Sequence, residues 1–452
     1  MRILEGVGST LIVMLALTPL HSQEATLRPN ESQAQLLERI ERLEERIALL
    51  EGKAAPQTPA LNLSVPDTLA TMPTPPISPS IAGELSRAKD TVAIEPDASA
   101  IAPGEITFNF NFEGYYSFNS LHPANHQNTL RVYDSRSNTL SLSEVGVVIE
   151  RTPEPERGAR AGFRLDLLFG QLDDFPFARP MQNKNVLQAY GSYVAPVGKG
   201  LQVDFGQFFS PVGLESFYTA DQIALSRGYI LDLVPIYHVG LRTTYPMTKS
   251  LSVQYSLVNG INEGPEGKGL GSHVAAVALH HPTWMTQFNY YYGQPDFSTS
   301  STGSSTGHPI NQLGAKAQIA NAYGAVTHGA YTLTSEFFFY TAKPSTDARA
   351  LRATAGSVYL SHQISGRWIG ALRFEHFNDA GGMISGSPRT LNGISAVATY
   401  VITHGFQTKL EYRHDWASTP VFQSGPLLVP SSNLDTATLG LNWRFGKKPA
   451  PW

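Results

Sequence analysis

Between residues 106 and 445 the chain repeats one pattern, apolar and polar side chains alternating at every second position. Ile106, Phe108, Phe110 and Phe112 alternate with Thr107, Asn109, Asn111 and Glu113, and Phe163, Leu165, Leu167 and Phe169 with Gly162, Arg164 and Asp166. The period returns in Leu251, Val253, Tyr255 and Leu257, in Phe406, Thr408, Leu410 and Tyr412, and in Leu439, Leu441, Trp443 and Phe445. A period of two belongs to β-strands, whose successive side chains point to opposite faces. About sixteen such segments start near 106, 138, 158, 186, 200, 236, 250, 273, 284, 312, 328, 354, 367, 392, 406 and 436.

Their connections alternate in length. Short ones at 151–157, 197–200, 246–250, 281–283, 324–327, 365–367 and 403–405 interleave with long ones at 119–137, 170–185, 210–235, 259–272, 293–311, 341–353, 378–391 and 415–435. Short and long connections in turn, with an even strand count, are expected of a transmembrane barrel, where turns collect at one rim and loops at the other. A soluble sandwich or propeller, the competing all-β reading, has no reason to segregate its loops.

Alternation is common to both classes, and they differ in which face meets water. A soluble fold buries the apolar face, whereas a membrane barrel turns it to lipid around a wet interior. Aromatic residues near strand ends favour the membrane, as interface girdles: Tyr115, Tyr116, Phe118, Phe208, Phe209, Tyr290, Tyr291, Tyr292, Phe337, Phe338, Phe339 and Tyr340. The expected fold is an all-β transmembrane barrel of about sixteen antiparallel strands over 105–446, with a tail at 447–452.

Ahead of the barrel lie three segments of different composition. Residues 1–25 hold Arg2, an apolar run at 11–17 and a small polar stretch, a pattern expected of a cleaved export signal. That run is far shorter than the roughly 20 residues a spanning helix needs. Within 31–53, Leu36, Ile40, Leu43, Ile47 and Leu50 are spaced 4, 3, 4, 3, a coiled-coil seam with charge around it. About two and a half heptads are marginal alone, so the helix is expected to pair with other copies or to dock on its own domain. Ile and Leu in turn along the seam favour a dimer, while a trimeric barrel would impose three strands. Residues 54–104, rich in Pro, Ala, Ser and Thr, read as a semi-extended linker.

Composition excludes other classes. With 33 Lys plus Arg against 37 Asp plus Glu, the net charge of −4 lacks the basic excess of a nucleic-acid binder. No cysteine means no disulfide, thiolate metal site or thiol nucleophile, and suits an oxidising compartment. Gly303 to Gly307 matches G-x-S-x-G only inside a low-complexity loop. His280–His281 lacks further metal-ligand spacing, and 264–271 lacks the pattern of a phosphate loop. No catalytic constellation, metal site or cofactor is expected.

The segments GYYSF (114–118), RVYDSRSNTLSLSEVG (131–146), GFRLDLLFGQ (162–171), QAYGSYVAPVGKGLQVDFGQFFSPVGLES (188–216), PIYHVGLRTTYP (235–246) and LVNGIN (257–262) together resemble the outer-membrane β-barrel porins of the OmpL-like, porin-2 type. The resemblance covers about 106–445, by motif and spacing in the first half and by strand pattern beyond about 280. It implies a passive diffusion channel for small hydrophilic solutes or ions, in contact with outer-membrane lipid. It supplies no catalytic or ligand residues. Two other roles stay open: an anchor whose periplasmic stalk reaches the cell wall and, more distantly, a barrel enzyme.

With the polar face inward, Glu113, Arg160, Arg164, Asp166, Asp204, Arg242, Lys316, Glu336, Arg373, Glu375, Lys409, Glu411, Arg413 and Arg444 are expected to line the pore. Any of these also fits a simple lumenal salt bridge. The basic residues near the closure between first and last strands point to a weak anion preference. The loop at 210–235 is the longest and the least polar. It is expected to fold into the channel as a constriction, with Glu215, Asp221, Arg227 and Asp232 at the eyelet, or to form an external lid or protomer contact.

Overall fold

The computed structural model describes residues 104–131, 133–170, 185–262, 270–294, 316–343 and 349–446. The expected export signal, coiled-coil seam, tail and, save Gly104, proline-rich linker lie outside these residues.

Sixteen of the described strands close into one antiparallel barrel. They are β1 (Thr107–Asn119), β2 (Leu140–Arg151), β3 (Ala161–Phe169), β4 (Val186–Ala195), β5 (Leu201–Phe209), β6 (Tyr237–Pro246), β7 (Leu251–Val258) and β8 (Ser272–His281), followed by β9 (Trp284–Gly293), β10 (Lys316–His328), β11 (Tyr331–Lys343), β12 (Leu351–Gln363), β13 (Trp368–Asp379), β14 (Arg389–Thr403), β15 (Phe406–Ala417) and β18 (Asn433–Gly446). Each strand pairs with its chain neighbour, and β18 returns to β1 with Phe112 opposite Trp443 and Glu113 opposite Asn442. Closure leaves no strand edge unpaired, which a sheet in lipid requires because no water is there to satisfy the backbone. A small hairpin, β16 (Phe422–Ser424) with β17 (Val429–Ser431), stands within the last long loop; the sequence pattern did not reveal it.

The faces decide the class. Phe112 is 44% exposed while the next residue, Glu113, is 2% exposed; Leu410 is 55% exposed beside Glu411 at 1%. Apolar side chains cover the outside and charged ones the inside, the reverse of a soluble core.

The aromatic girdle is half of what the sequence led us to expect. Tyr116, Phe118, Tyr290, Tyr292 and Phe337 are exposed on the outer face, but Tyr115, Phe208, Tyr291, Phe338 and Tyr340 are buried inside. Phe209 packs against Phe217 and Tyr218 of the long loop. Consecutive residues of a strand alternate sides, so a run such as Tyr290–Tyr292 cannot serve one interface as a block.

Candidate functional site

The segment between β5 and β6, residues 210–236, folds into the barrel. Its apolar side chains Val212, Phe217, Tyr218, Tyr229, Ile230, Leu231, Val234 and Ile236 join one buried cluster with Phe208, Val258, Ile319, Phe338 and Phe377 from the wall. Two single-turn 3-10 helices, Thr219–Asp221 and Tyr229–Asp232, shape it. A segment this apolar would expose its side chains to water outside the barrel; inside, it buries them. Its backbone polar groups then need partners, and the charged inner wall supplies them.

Those partners surround the lumen. Tyr218 donates its hydroxyl to Asp166 on β3 (2.8 Å). The Gly213 and Leu214 amides donate to Asn321 on β10 and Glu336 on β11, each at 3.0 Å. Glu411 on β15 accepts from the Leu225 and Ser226 amides (2.8 Å each) and from the Ser226 hydroxyl (2.6 Å). Because β3 and β10 stand on opposite sides of a sixteen-strand ring, the segment crosses the lumen. Hydrogen bonds to charged groups are the stronger kind, each contributing about 1.5–3 kcal/mol.

Of the four expected eyelet residues, three have resolved roles inside the barrel. Glu215 accepts from the Gly228 amide (2.8 Å) and the Tyr359 hydroxyl (2.9 Å), with the Arg373 guanidinium 3.5 Å away. Burial pushes its carboxyl above the ordinary range, and the charges of Arg373 and Arg227 oppose that rise. Asp221 pairs with Arg444 at 2.6 Å. Arg227 donates to the carbonyls of Ser216, Phe217 and Leu225 and lies 3.8 Å over the Tyr133 ring, so it braces the loop from within. Asp232 closes the second 3-10 turn and is half-buried.

The residues expected to line the pore fall on the inner face with one exception. Arg164 pairs with Asp166 (2.8 Å) and Glu150 (3.3 Å), and Arg242 with Asp204 (2.8 Å). Arg373 pairs with Glu411 (3.2 Å), and Arg413 with Glu375 (2.5 Å) and Asp415 (2.8 Å). Lys409 donates to the loop carbonyls of Thr219 (2.9 Å) and Gln222. Arg160 donates to the Val194 carbonyl at the short-turn rim (3.0 Å), and Glu113 accepts from Asn442 (3.4 Å).

Lys316 is the exception. It is exposed on the outer face, its ammonium 5.7 Å from the centroid of the outward Tyr292 ring. The hydrogen bonds of Asn321 to Glu336 and Asn289 fix odd-numbered residues of β10 to the inside, so position 316 points out.

The arginines near the closure are likewise not an unopposed cluster. Arg164, Arg373, Arg413 and Arg444 each have a carboxylate partner, whereas Lys409 and Arg160 donate to backbone carbonyls, so most of the basic cluster expected there is charge-compensated. Sequence reading passed over several of the partners. Asp415 continues the parity of Lys409, Glu411 and Arg413 and was legible in principle; it also binds Arg131 of the first long loop. Glu144 bonds Asn111 next to a β-bulge in the β1–β2 pairing, where an extra residue obscures the period. Tyr218 and Tyr229 carried no periodic signal at all.

Among the described residues no group of acidic or histidine side chains is placed to hold a metal. His281, set aside as a ligand, stacks on Trp284 at 5.5 Å.

The model of the beta-barrel porin-2, OmpL-like family matches residues 105–445. No curated protein matches the chain by sequence. Among solved structures, an anion-selective porin from Comamonas acidovorans superposes with a TM-score of 0.54 at 10% identity, covering 75% of this chain and 99% of that one. The loop L8 deletion mutant of OmpT, an outer membrane protein of Vibrio cholerae, gives 0.50 at 12% identity over 76% of this chain and 100% of that one. At these identities the likeness is one of fold.

Proposed function

This chain belongs to the OmpL-like beta-barrel porin-2 family and forms an outer-membrane channel, and we propose that the channel passes small hydrophilic solutes or ions by passive diffusion through the space that residues 210–236 restrict. The observation carrying this reading is that the loop crosses the lumen and is held by wall groups on β3, β10, β11 and β15. Paired charges of both signs flank the path, the setting in which solutes are screened by size and polarity with little preference for ion sign. In this reading the barrel is a conduit and not an enzyme. Glu215, Asp221, Arg227 and Asp232 belong to the constriction, and the inner-face ion pairs hold its frame.

Planar-bilayer recording of the purified full chain tests this. Stepwise conductance is expected, and deletion of 216–230 raises the unit conductance. No channel activity overturns the conduction reading, and unchanged conductance in the deletion overturns the constriction role. In the same proposal the helix at 31–53 stands in the periplasm and associates through Leu36, Ile40, Leu43, Ile47 and Leu50 into a dimer or trimer. Crosslinking with and without residues 31–53 tests that part, and identical oligomers overturn it.

A further inference from the structure

The outer face of β10 to β12 carries a charge arrangement that conduction does not use. Lys316, the first residue of β10, stands directly opposite Lys343, the last of β11. Arg352 faces outward one step along, opposite Thr341, and Arg349 lies just ahead of β12; all four cations are exposed. Among the described residues none of them forms an ion pair, and no carboxylate stands on this outward face. Two lysines paired across a ladder repel one another unless an anion lies between them. The four gather at the rim that carries the long loops, which in an outer-membrane barrel is the external rim.

Beneath the cations the same face is hollow. A groove of about 630 Å³ runs over Ala322, Gly324, Thr354 and Gly356, with Phe337 and Phe374 beside it. The ladder places it directly below the charges: Ala322, Phe337 and Gly356 form one cross-strand row, three outward positions along β10 from Lys316. Small side chains there lower a floor that elsewhere is covered by Leu, Phe and Tyr. Tyr292, under the Lys316 ammonium, marks the interface level between the two.

We propose that this face holds one phosphate-bearing lipid of the outer leaflet, its head-group phosphates on Lys316, Lys343, Arg349 and Arg352 and one acyl chain in the groove over Gly356. Charge complementarity selects the phosphates, and the groove below, flanked by Phe337 and Phe374, selects a lipid over a free anion. The assignment rests on the outer-membrane orientation of the barrel and not on conduction, so it stands or falls separately from the channel reading.

The test uses the full chain in detergent, titrated with diphosphorylated lipid A and followed by native mass spectrometry. Parallel titrations use fully dephosphorylated lipid A and inorganic phosphate. Tight binding of one diphosphorylated lipid per chain is expected, weakened at least about tenfold by dephosphorylation and similarly by the combined K316Q, K343Q, R349Q and R352Q substitutions. Gly356→Leu fills the groove and weakens lipid binding about threefold or more while leaving unit conductance unchanged. The backbone at 356 has room for a side chain, since a Cβ there would meet only the Glu336 carbonyl at 3.5 Å, an ordinary contact. Undiminished binding in either variant, equal affinity for the dephosphorylated lipid, or displacement of the lipid by equimolar phosphate overturns the proposal.

Discussion

Glu411 holds Ser226 at two points, accepting from its amide at 2.8 Å and from its hydroxyl at 2.6 Å. The two residues are 185 positions apart in the chain, and their contact joins the middle of the long loop to the wall of β15. Arg373 completes the arrangement by donating to the Ser226 carbonyl (2.9 Å) and hydroxyl (2.6 Å), so a carboxylate and a guanidinium grip one small residue. This relationship identifies where the loop is most dependent on the wall.

Replacing Glu411 with Ala leaves Arg373 with one fewer carboxylate and two loop amides without an acceptor. Docking of the loop is expected to weaken by about 3–5 kcal/mol, the scale for breaking a buried pair by removing one partner. Glu411→Gln keeps one carbonyl acceptor and falls between. Hydrogen exchange at the Leu225 and Ser226 amides reads the loss directly, and single-channel recordings are expected to gain open-state noise. Unaltered amide protection in the Ala variant contradicts this account.

Gly440 on β18 is where Leu225 lands, with a Cβ there falling within 2.4 Å of the leucine Cδ2. Gly440→Val is therefore expected to push the loop off the wall and change conductance while the barrel still closes. Adding Leu225→Ala removes the clash and restores most of the original conductance. A double variant no closer to wild type than the single one argues against this contact.

Glu215 supplies a pH dependence. Its carboxyl is raised by burial when the loop is docked, and it returns toward the ordinary carboxylate value when the loop lifts away. The docked state thus binds the proton more tightly, so acidification favours docking. The gain grows as pH falls through the raised value and levels off below the ordinary one, near 4.5. Protection of the Gly228 amide is expected to rise with acidification more in wild type than in Glu215→Gln; parallel pH profiles refute the assignment.

On the outer wall, Leu410 sits in the middle of β15 facing lipid. Leu410→Arg is expected to cost about 2–4 kcal/mol, the scale measured for arginine at the bilayer midplane of barrels. Lys316→Leu, at the rim, is expected to cost little. Unfolding titrations in lipid vesicles compare the two, and an equal cost at both positions conflicts with the inside-out placement.

Period and spacing in the sequence were enough to determine the barrel, because a strand puts alternate residues on opposite faces and short turns and long loops sort to opposite rims. The strand count and the polar interior were legible for that reason, from Phe108 and Asn109 at one end to Trp443 and Arg444 at the other. The sequence also marked 210–235 as unusual, since so apolar a loop needs something to pack against. Only the tertiary structure decided what it packs against: Asp166, Asn321, Glu336 and Glu411 come from four strands that closure alone brings around it. It decided too that Lys316 faces lipid and Tyr291 the lumen, because parity within a strand says which residues share a face but hydrogen bonds across the barrel say which face is inside. The pairing of Arg413 with Glu375 and Asp415 belongs to the same class, since a charge on a strand has no partner until its neighbours in the ladder and the loop above it are in place.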